Sequence, residues 1–258
     1  MRHDPGHQTA VASIVPGHAR RNNLDLYDRH ADDWWNDRSP FSRSLHEVNR
    51  VLLATIRARM GDRLKDMTVV DLGCGGGILA KPLACDGAWV VGLDTSLPSL
   101  FACRRHAADI SRLGLVRGDV CIPPLAPAWA DLVLCADVLE HIPDWRAVIT
   151  AAAALLRPGG TLFAATINRT PWATWLAVTL GEGLGFIPRG THDPTMFITP
   201  EELIAQARTL GLRSDGCFGL RPTLLRTLMD RRLRMTTSSA PSVLYGAWFV
   251  DGRLADGP

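Results

Sequence analysis

VVDLGCGGG, residues 69–77, decides how the chain is read. A short β-branched run ends in Asp71, and glycines follow at Gly73, Gly75 and Gly77. A strand handing over to such a turn is where an open α/β sheet binds a nucleotide-like ligand. Glycine lets the backbone turn sharply and approach a ligand that a Cβ would hold off. A dinucleotide GxGxxG fingerprint needs glycine at 78, where Ile78 stands. The acid two residues before the first glycine would repel a pyrophosphate and suits a ligand with an ammonium group.

Outward from this loop the chain keeps one rhythm. Apolar runs at 67–72, 88–93, 113–117, 131–136 and 160–166 alternate with helically spaced stretches near 78–86, 96–109 and 144–156. That alternation predicts a parallel sheet with helices on both faces. Two later β-like runs, 211–218 and 243–250, complete it. The fold class is therefore α/β: a Rossmann-like, mostly parallel sheet of seven strands. Pro143-Asp144 opens the helix that Arg157-Pro158-Gly159-Gly160 closes, and Thr199 with Glu202 forms a capping box. Leu24, Tyr27, His30, Ala31, Trp34 and Trp35 recur at helical steps, and a second helical stretch runs from 45 to 60. The organisation that follows is a tail without fixed structure over 1–20 and one domain over 21–258. Within that domain lie a helical cap (21–62), a cofactor-binding core (63–167), a lid or acceptor insertion after the fifth strand (168–198) and sheet completion (199–258).

Composition narrows the class of protein. The 258 residues are 47% hydrophobic and 21% charged, ample for a large core. A net charge of +2 supplies no strong field for a nucleic-acid partner. Lys65 and Lys81 are the only lysines, so arginine carries nearly all the positive charge. No apolar run reaches the ~18 residues of a membrane span, and the N-terminus lacks the apolar segment of a secretory signal. Six scattered cysteines without a CxxC pair argue against a disulfide framework or structural zinc and for a cytoplasmic setting.

Two further acids extend the site. Asp94 ends the second strand, where a carboxylate can accept from both hydroxyls of an adenosine ribose. Asp119, after the third strand, can accept from an adenine amino group. Each alone also reads as a helix N-cap or strand terminator. Together with Asp71 and the glycine loop they describe a site for adenosine plus an ammonium, and S-adenosylmethionine (SAM) has both without a phosphate.

The sequence resembles class I SAM-dependent methyltransferases and, more closely, the ubiquinone-biosynthesis O-methyltransferases that methylate polyprenyl catechols. The resemblance rests on ADDWW (31–35), SLHEVN (44–49), VVDLGCGGGILA (69–80), VVGLD (90–94), ADVLEHI (136–142), LLRPGG (155–160), TINRT (166–170), PRGTHD (188–193) and FITPEEL (197–203). It implies cofactor contacts from Gly73, Asp94 and the backbone near Ala136. A cofactor-binding arginine of the family aligns with Leu52, with Arg50 nearby. The resemblance also implies a divalent metal, magnesium or a similar hard ion, on Asp137, Glu140 and His141. Positions i, i+3 and i+4 share a helix face, and oxygen ligands suit magnesium. The alternative is that Asp137 caps a turn and His141 packs against the lid.

Methylating a phenol requires removal of its proton, by a metal that lowers its pKa or by a base. Glu140 and His141 are the nearest candidates. His192 is the second candidate base, or else fastens the lid. The lid tryptophans Trp172 and Trp175 suit a prenyl chain or a bilayer surface, and Arg169 and Arg189 suit anionic headgroups. The C-terminal third departs from the family: where it carries Tyr-Asn-Pro, Arg221 precedes Pro222. The expected function is SAM-dependent O-methylation of a polyprenyl catechol or related quinone precursor, in the cytoplasm or peripheral to a membrane. The alternatives are a methyltransferase of another small metabolite, a cofactor-binding scaffold without turnover, and a nucleotide-dependent oxidoreductase, which Asp71 and Ile78 oppose.

Overall fold

The structure is a computed structural model and describes residues 22, 24–183, 185–230 and 232–253. The tail expected over 1–20 lies outside the described residues. The cap comprises α1 (Asp25–Arg29), a 3-10 turn over Ala31–Asp33 and the long α2 (Pro40–Met60). Proline at the first position of α2 costs no hydrogen bond, and Gly61, at φ 55°, ends it.

Alternation then proceeds through β1 (Thr68–Leu72), α3 (Ala80–Cys85), β2 (Trp89–Asp94), α4 (Leu97–His106), β3 (Leu113–Arg117), β4 (Ala130–Ala136), α5 (Trp145–Leu155) and β5 (Leu156–Ile167). The lid helix α6 (Pro171–Thr174) continues as π-helical turns over Trp175–Glu182. Then come α7 (Pro200–Thr209), β6 (Leu212–Pro222), α8 (Leu224–Asp230), β7 (Met235–Ser238) and β8 (Leu244–Asp251). Thr199 and Glu202 form the expected capping box on α7.

The sheet order is β3-β2-β1-β4-β5-β8-β6-β7, parallel from β3 to β5 and antiparallel beyond. It has eight strands, not seven. The addition, β7, is a four-residue edge strand pairing Met235–Ser238 with Gly219–Pro222. β5 also begins earlier than 160. Ala130 pairs with Leu156 and Leu132 with Thr161, so Arg157–Gly160 forms an irregularity inside the strand.

Two apolar layers cover the sheet. Leu52 and Ile56 of α2, Leu83 of α3 and Cys103 of α4 bury one face with Phe163 and Trp248. Val148 and Ile149 of α5 and Leu203 and Ala207 of α7 bury the other with Tyr245 and Phe249. At ~25 cal/mol per Å² of apolar surface, these layers are the main source of stability. They also fix the carboxyl ends of β1, β2 and β4, where the strand order reverses and ligands of such sheets bind.

Candidate active site

At that edge Gly73 has φ +80°, and a Cβ built on it would lie 2.5 Å from the Val138 side chain. No other residue fits there without strain. Gly73 and Asp71 face a cavity of about 460 Å³, whose wall also includes Ala136, Asp137, Glu140, His141 and His192. These expected site residues converge on one space.

Others do not line it. Gly77 packs on Cys103, whose Sγ would be 2.3 Å from an added Cβ. Gly75 and Gly76 lie under the indole of Trp34, which would meet an added Cβ at 2.5 and 2.4 Å. Asp94 clamps the loop: its Oδ2 accepts from the Gly75 amide and its Oδ1 from the Ser96 amide, each at 2.8 Å. Asp119 is exposed, and its Oδ1 accepts from the Cys121 amide at 2.8 Å. The arginine expectation also changes. Leu52 is fully buried core. Arg50 grips Glu47 with two hydrogen bonds and donates to the Met235 carbonyl, joining α2 to β7. Among the described residues no lysine or arginine lines the cavity.

Three carboxylates do: Asp71 and Glu140 are buried and Asp137 is half-buried. Burial, with Asp94 adding repulsion, pushes the Asp71 acid up to about 7. Burial raises Asp137 and Glu140 as well, and the two repel each other. Asp137 Oδ2 accepts from Asn49 Nδ2 at 3.3 Å, and Glu140 Oε2 accepts from the Thr166 hydroxyl at 2.7 Å. Asp137 is held at φ +53°, a conformation that aspartate tolerates better than most side chains.

His141 is enclosed. Its Nδ1 lies 2.8 Å from Asn22 Oδ1 and its Nε2 3.0 Å from the Tyr27 hydroxyl. Burial and neighbouring His192 push it down to about 3, so the ring is neutral. The expected metal set does not fit this arrangement. Both His141 nitrogens are used, and among the described residues no three His, Cys, Asp or Glu side chains are placed to hold an ion. His192 stacks on His141 with ring centroids 5.6 Å apart.

The cap and the lid close over these groups. Tyr27 stacks on Trp34, whose Nε1 donates to Ser99 Oγ at 2.9 Å. Trp35 Nε1 donates to the Gly76 carbonyl at 2.8 Å. The lid contributes Leu176, Leu180 and Ile187 to the cavity wall. Its Trp172 and Trp175 stack on each other at 4.9 Å and are exposed. Arg169 is spent on a two-pronged bond to Glu202 and on the Phe197 carbonyl, whereas Arg189 is exposed. Pro222 lines the cavity, and Arg221 faces away to solvent.

Comparison with known proteins is decisive for the family. Residues 70–164 match the model of a methyltransferase domain. The ubiquinone biosynthesis O-methyltransferase of Bordetella bronchiseptica is 38% identical over 217 residues, covering 82% of this chain and 89% of that protein. Its counterpart in Sodalis glossinidius is 39% identical, covering 80% and 83%. The chain belongs to the ubiquinone biosynthesis O-methyltransferase family. It is a SAM-dependent methyltransferase. Solved structures carry the same fold: magnesium protoporphyrin IX methyltransferase from Synechocystis PCC 6803 with bound SAH superposes with a TM-score of 0.64 at 19% identity, covering 89% of this chain and 96% of that one. A possible histamine N-methyltransferase from Thermotoga maritima gives 0.63 at 14%, covering 89% and 100%.

Around the cavity also stand residues of this methyltransferase that no motif singled out for the site: Asn22, Tyr27, Asn49, Thr166 and Glu182. Tyr27 and Asn22 carry no local signal, since their partner lies more than a hundred residues away. Glu182 did carry one, as a lone acid in the apolar run LAVTLGEGLG. Among the described residues no helix is long and apolar enough to cross a membrane.

Proposed function

We propose that this methyltransferase moves a methyl group from SAM to a phenolic hydroxyl of a polyprenyl catechol or related quinone precursor. The observation that carries the reading is the division of one cavity. Its carboxylates, Asp71, Asp137 and Glu140, come from the ends of β1 and β4, and its remaining walls are largely aliphatic and aromatic, from the cap, the lid and the C-terminal strands. Buried acids without a basic residue beside them call for a cationic ligand. The apolar walls suit a hydrocarbon substituent. The names of the relatives support the acceptor class.

Bound at the acid end, SAM supplies a methyl carbon made electrophilic by its sulfonium. Asp71, Asp137 and Glu140 hold that end by charge, with the Gly73 backbone close by. Asp94 and Asp119, which keep acceptor lone pairs beyond the loop amides they hold, lie along the same sheet edge for the ribose and the adenine, and Gly75 and Gly77 shape the loop. A phenol with pKa near ~10 is a poor nucleophile until its proton leaves. His192 accepts that proton, and its neutral neighbour His141 serves as a fixed wall. In-line positioning supplies the rest of the acceleration. The exposed Trp172–Trp175 pair and Arg189 support peripheral contact with an anionic membrane, from which a prenylated acceptor would enter.

The test is transfer of labelled methyl from SAM to a short-chain prenyl catechol. The expected result is label on the catechol and none on the dimethylated analogue. SAM binding without transfer to any catechol would overturn the acceptor and leave a methyltransferase of another metabolite. Sedimentation with anionic and neutral vesicles tests the membrane reading: equal recovery from both would remove it.

A further inference from the structure

The lid carries a buried acid that stands outside the cavity wall. Glu182 closes the π-helical turns of the lid and is 5% exposed. Extra-wide turns of this kind are rare and recur at functional sites. Its Oε2 accepts from the Gly190 amide at 2.8 Å and its Oε1 from the His192 amide at 3.0 Å. Oε1 also stands 3.5 Å from His192 Nδ1. One carboxylate therefore fixes both ends of the Gly190–His192 turn and stands behind the imidazole that lines the cavity.

We propose that Glu182 is a positioning residue for methyl transfer, which locks the Gly190–His192 turn and orients the His192 ring toward the acceptor. This rests on the reading of His192 as proton acceptor. An acceptor oxygen beside Nδ1 favours hydrogen on that nitrogen and leaves the Nε2 lone pair for the substrate. When the phenolic proton moves to Nε2, the O–H bond breaks and an N–H bond forms. The imidazolium so made faces the Glu182 carboxylate, and its proton later passes to solvent. Catalytic bases are commonly oriented by a third group in this way, and their hydrogen bonds are often loose without substrate. The same turn is tied to the cap, because the Gly190 carbonyl accepts from the Asn22 amide at 2.8 Å. Glu182 thus sets the height of the lid over the pocket as well as the orientation of the ring.

The experiment has a kinetic arm and a spectroscopic one. Glu182→Gln keeps the shape but must turn an NH2 toward one of the two amides. Expected are a kcat at least tenfold lower on the short-chain prenyl catechol, a SAM Kd within twofold of wild type, and partial recovery in Glu182→Asp. Combined with His192→Ala, it should add less than threefold to the loss of His192→Ala alone. A Glu182→Gln rate within twofold of wild type, or losses that multiply, would overturn the proposal. Nitrogen-15 spectra of wild-type histidines, assigned with His192→Ala, decide independently should the variant fail to fold. They need no acceptor, so failure of the acceptor reading leaves this arm standing. Hydrogen on Nδ1 of His192 is expected, and hydrogen on Nε2 alone would overturn the proposal.

Discussion

Tyr27 and His141 stand 114 residues apart in the chain, yet the Tyr27 hydroxyl lies 3.0 Å from His141 Nε2. With Asn22 Oδ1 at Nδ1, the ring carries its hydrogen on Nδ1 and accepts from the tyrosine. The cap thereby fixes a histidine in the wall of the cavity.

Removing that hydroxyl leaves a buried nitrogen unsatisfied, at a cost of about 1–3 kcal/mol. Tyr27→Phe is expected to lower stability by that amount in denaturant titration. An unchanged midpoint would show that water replaces the tyrosine.

Gly73 combines a left-handed backbone with a Cβ position 2.5 Å from Val138. Gly73→Ala therefore meets a backbone penalty of about 1–2 kcal/mol and a steric clash. SAM affinity measured by calorimetry should fall at least tenfold, and retained affinity would mean that the loop relaxes freely.

The acid at Asp71 gives a pH signature. Its folded pKa, about 7, is above its ordinary value, so its share of stability is present at low pH and is lost as pH rises through about 7. The cofactor-free protein should melt at lower temperature at pH 7.5 than at pH 5.5. A cationic ligand needs the ionised acid, so SAM should bind more tightly over the same rise. Asp71→Asn is expected to flatten both trends and weaken SAM at pH 7.5. Parallel profiles in wild type and variant would remove Asp71 from the site.

Arg50 and Glu47 should separate structure from binding. The Arg50 side chain is 58% exposed, whereas Glu47 is buried and accepts from the Met235 amide at 2.9 Å. Arg50→Ala is expected to leave the SAM Kd within twofold. Glu47→Ala should destabilise the protein by about 1–3 kcal/mol through the orphaned amide. A large loss of SAM affinity in Arg50→Ala would restore the arginine to the cofactor.

Chelation tests the disagreement over the metal. With both His141 nitrogens hydrogen-bonded, dialysis against EDTA should leave the methyl-transfer rate within twofold. A loss restored by magnesium would require the ring to leave Tyr27, and Tyr27→Phe would then bind the ion more tightly.

Much of the fold was legible because local chemistry writes it. The runs ending in Asp71 and Asp94 appear as β1 and β2, and Thr199 and Glu202 cap α7. Met235–Ser238 was not legible: MTTS has no apolar alternation, and its pairing with β6 is a long-range event. The Pro-Gly-Gly of 158–160 spelled a stop, yet the strand carries it as an irregularity. In the site, Asp71, Gly73, Asp137, Glu140, His141 and His192 were found because they sit in motifs. What the motifs hid was occupancy: the Asp94 carboxylate holds the loop amides, and Arg50 is committed to Glu47. Spacing says which side chains share a face, not which partner reaches them first.

The cap is built from the first described residues but binds surfaces completed much later in the chain. Trp34 needs the glycine loop, Tyr27 needs His141, and Asn22 needs Gly190. Closing such long loops is entropically costly until the intervening sheet has formed. The segment made early on the ribosome is thus expected to dock only after the sheet has formed, leaving the glycine loop uncovered until then. A nascent or partly unfolded chain should therefore present the cofactor edge of its sheet before it has the cover that makes a closed reaction chamber.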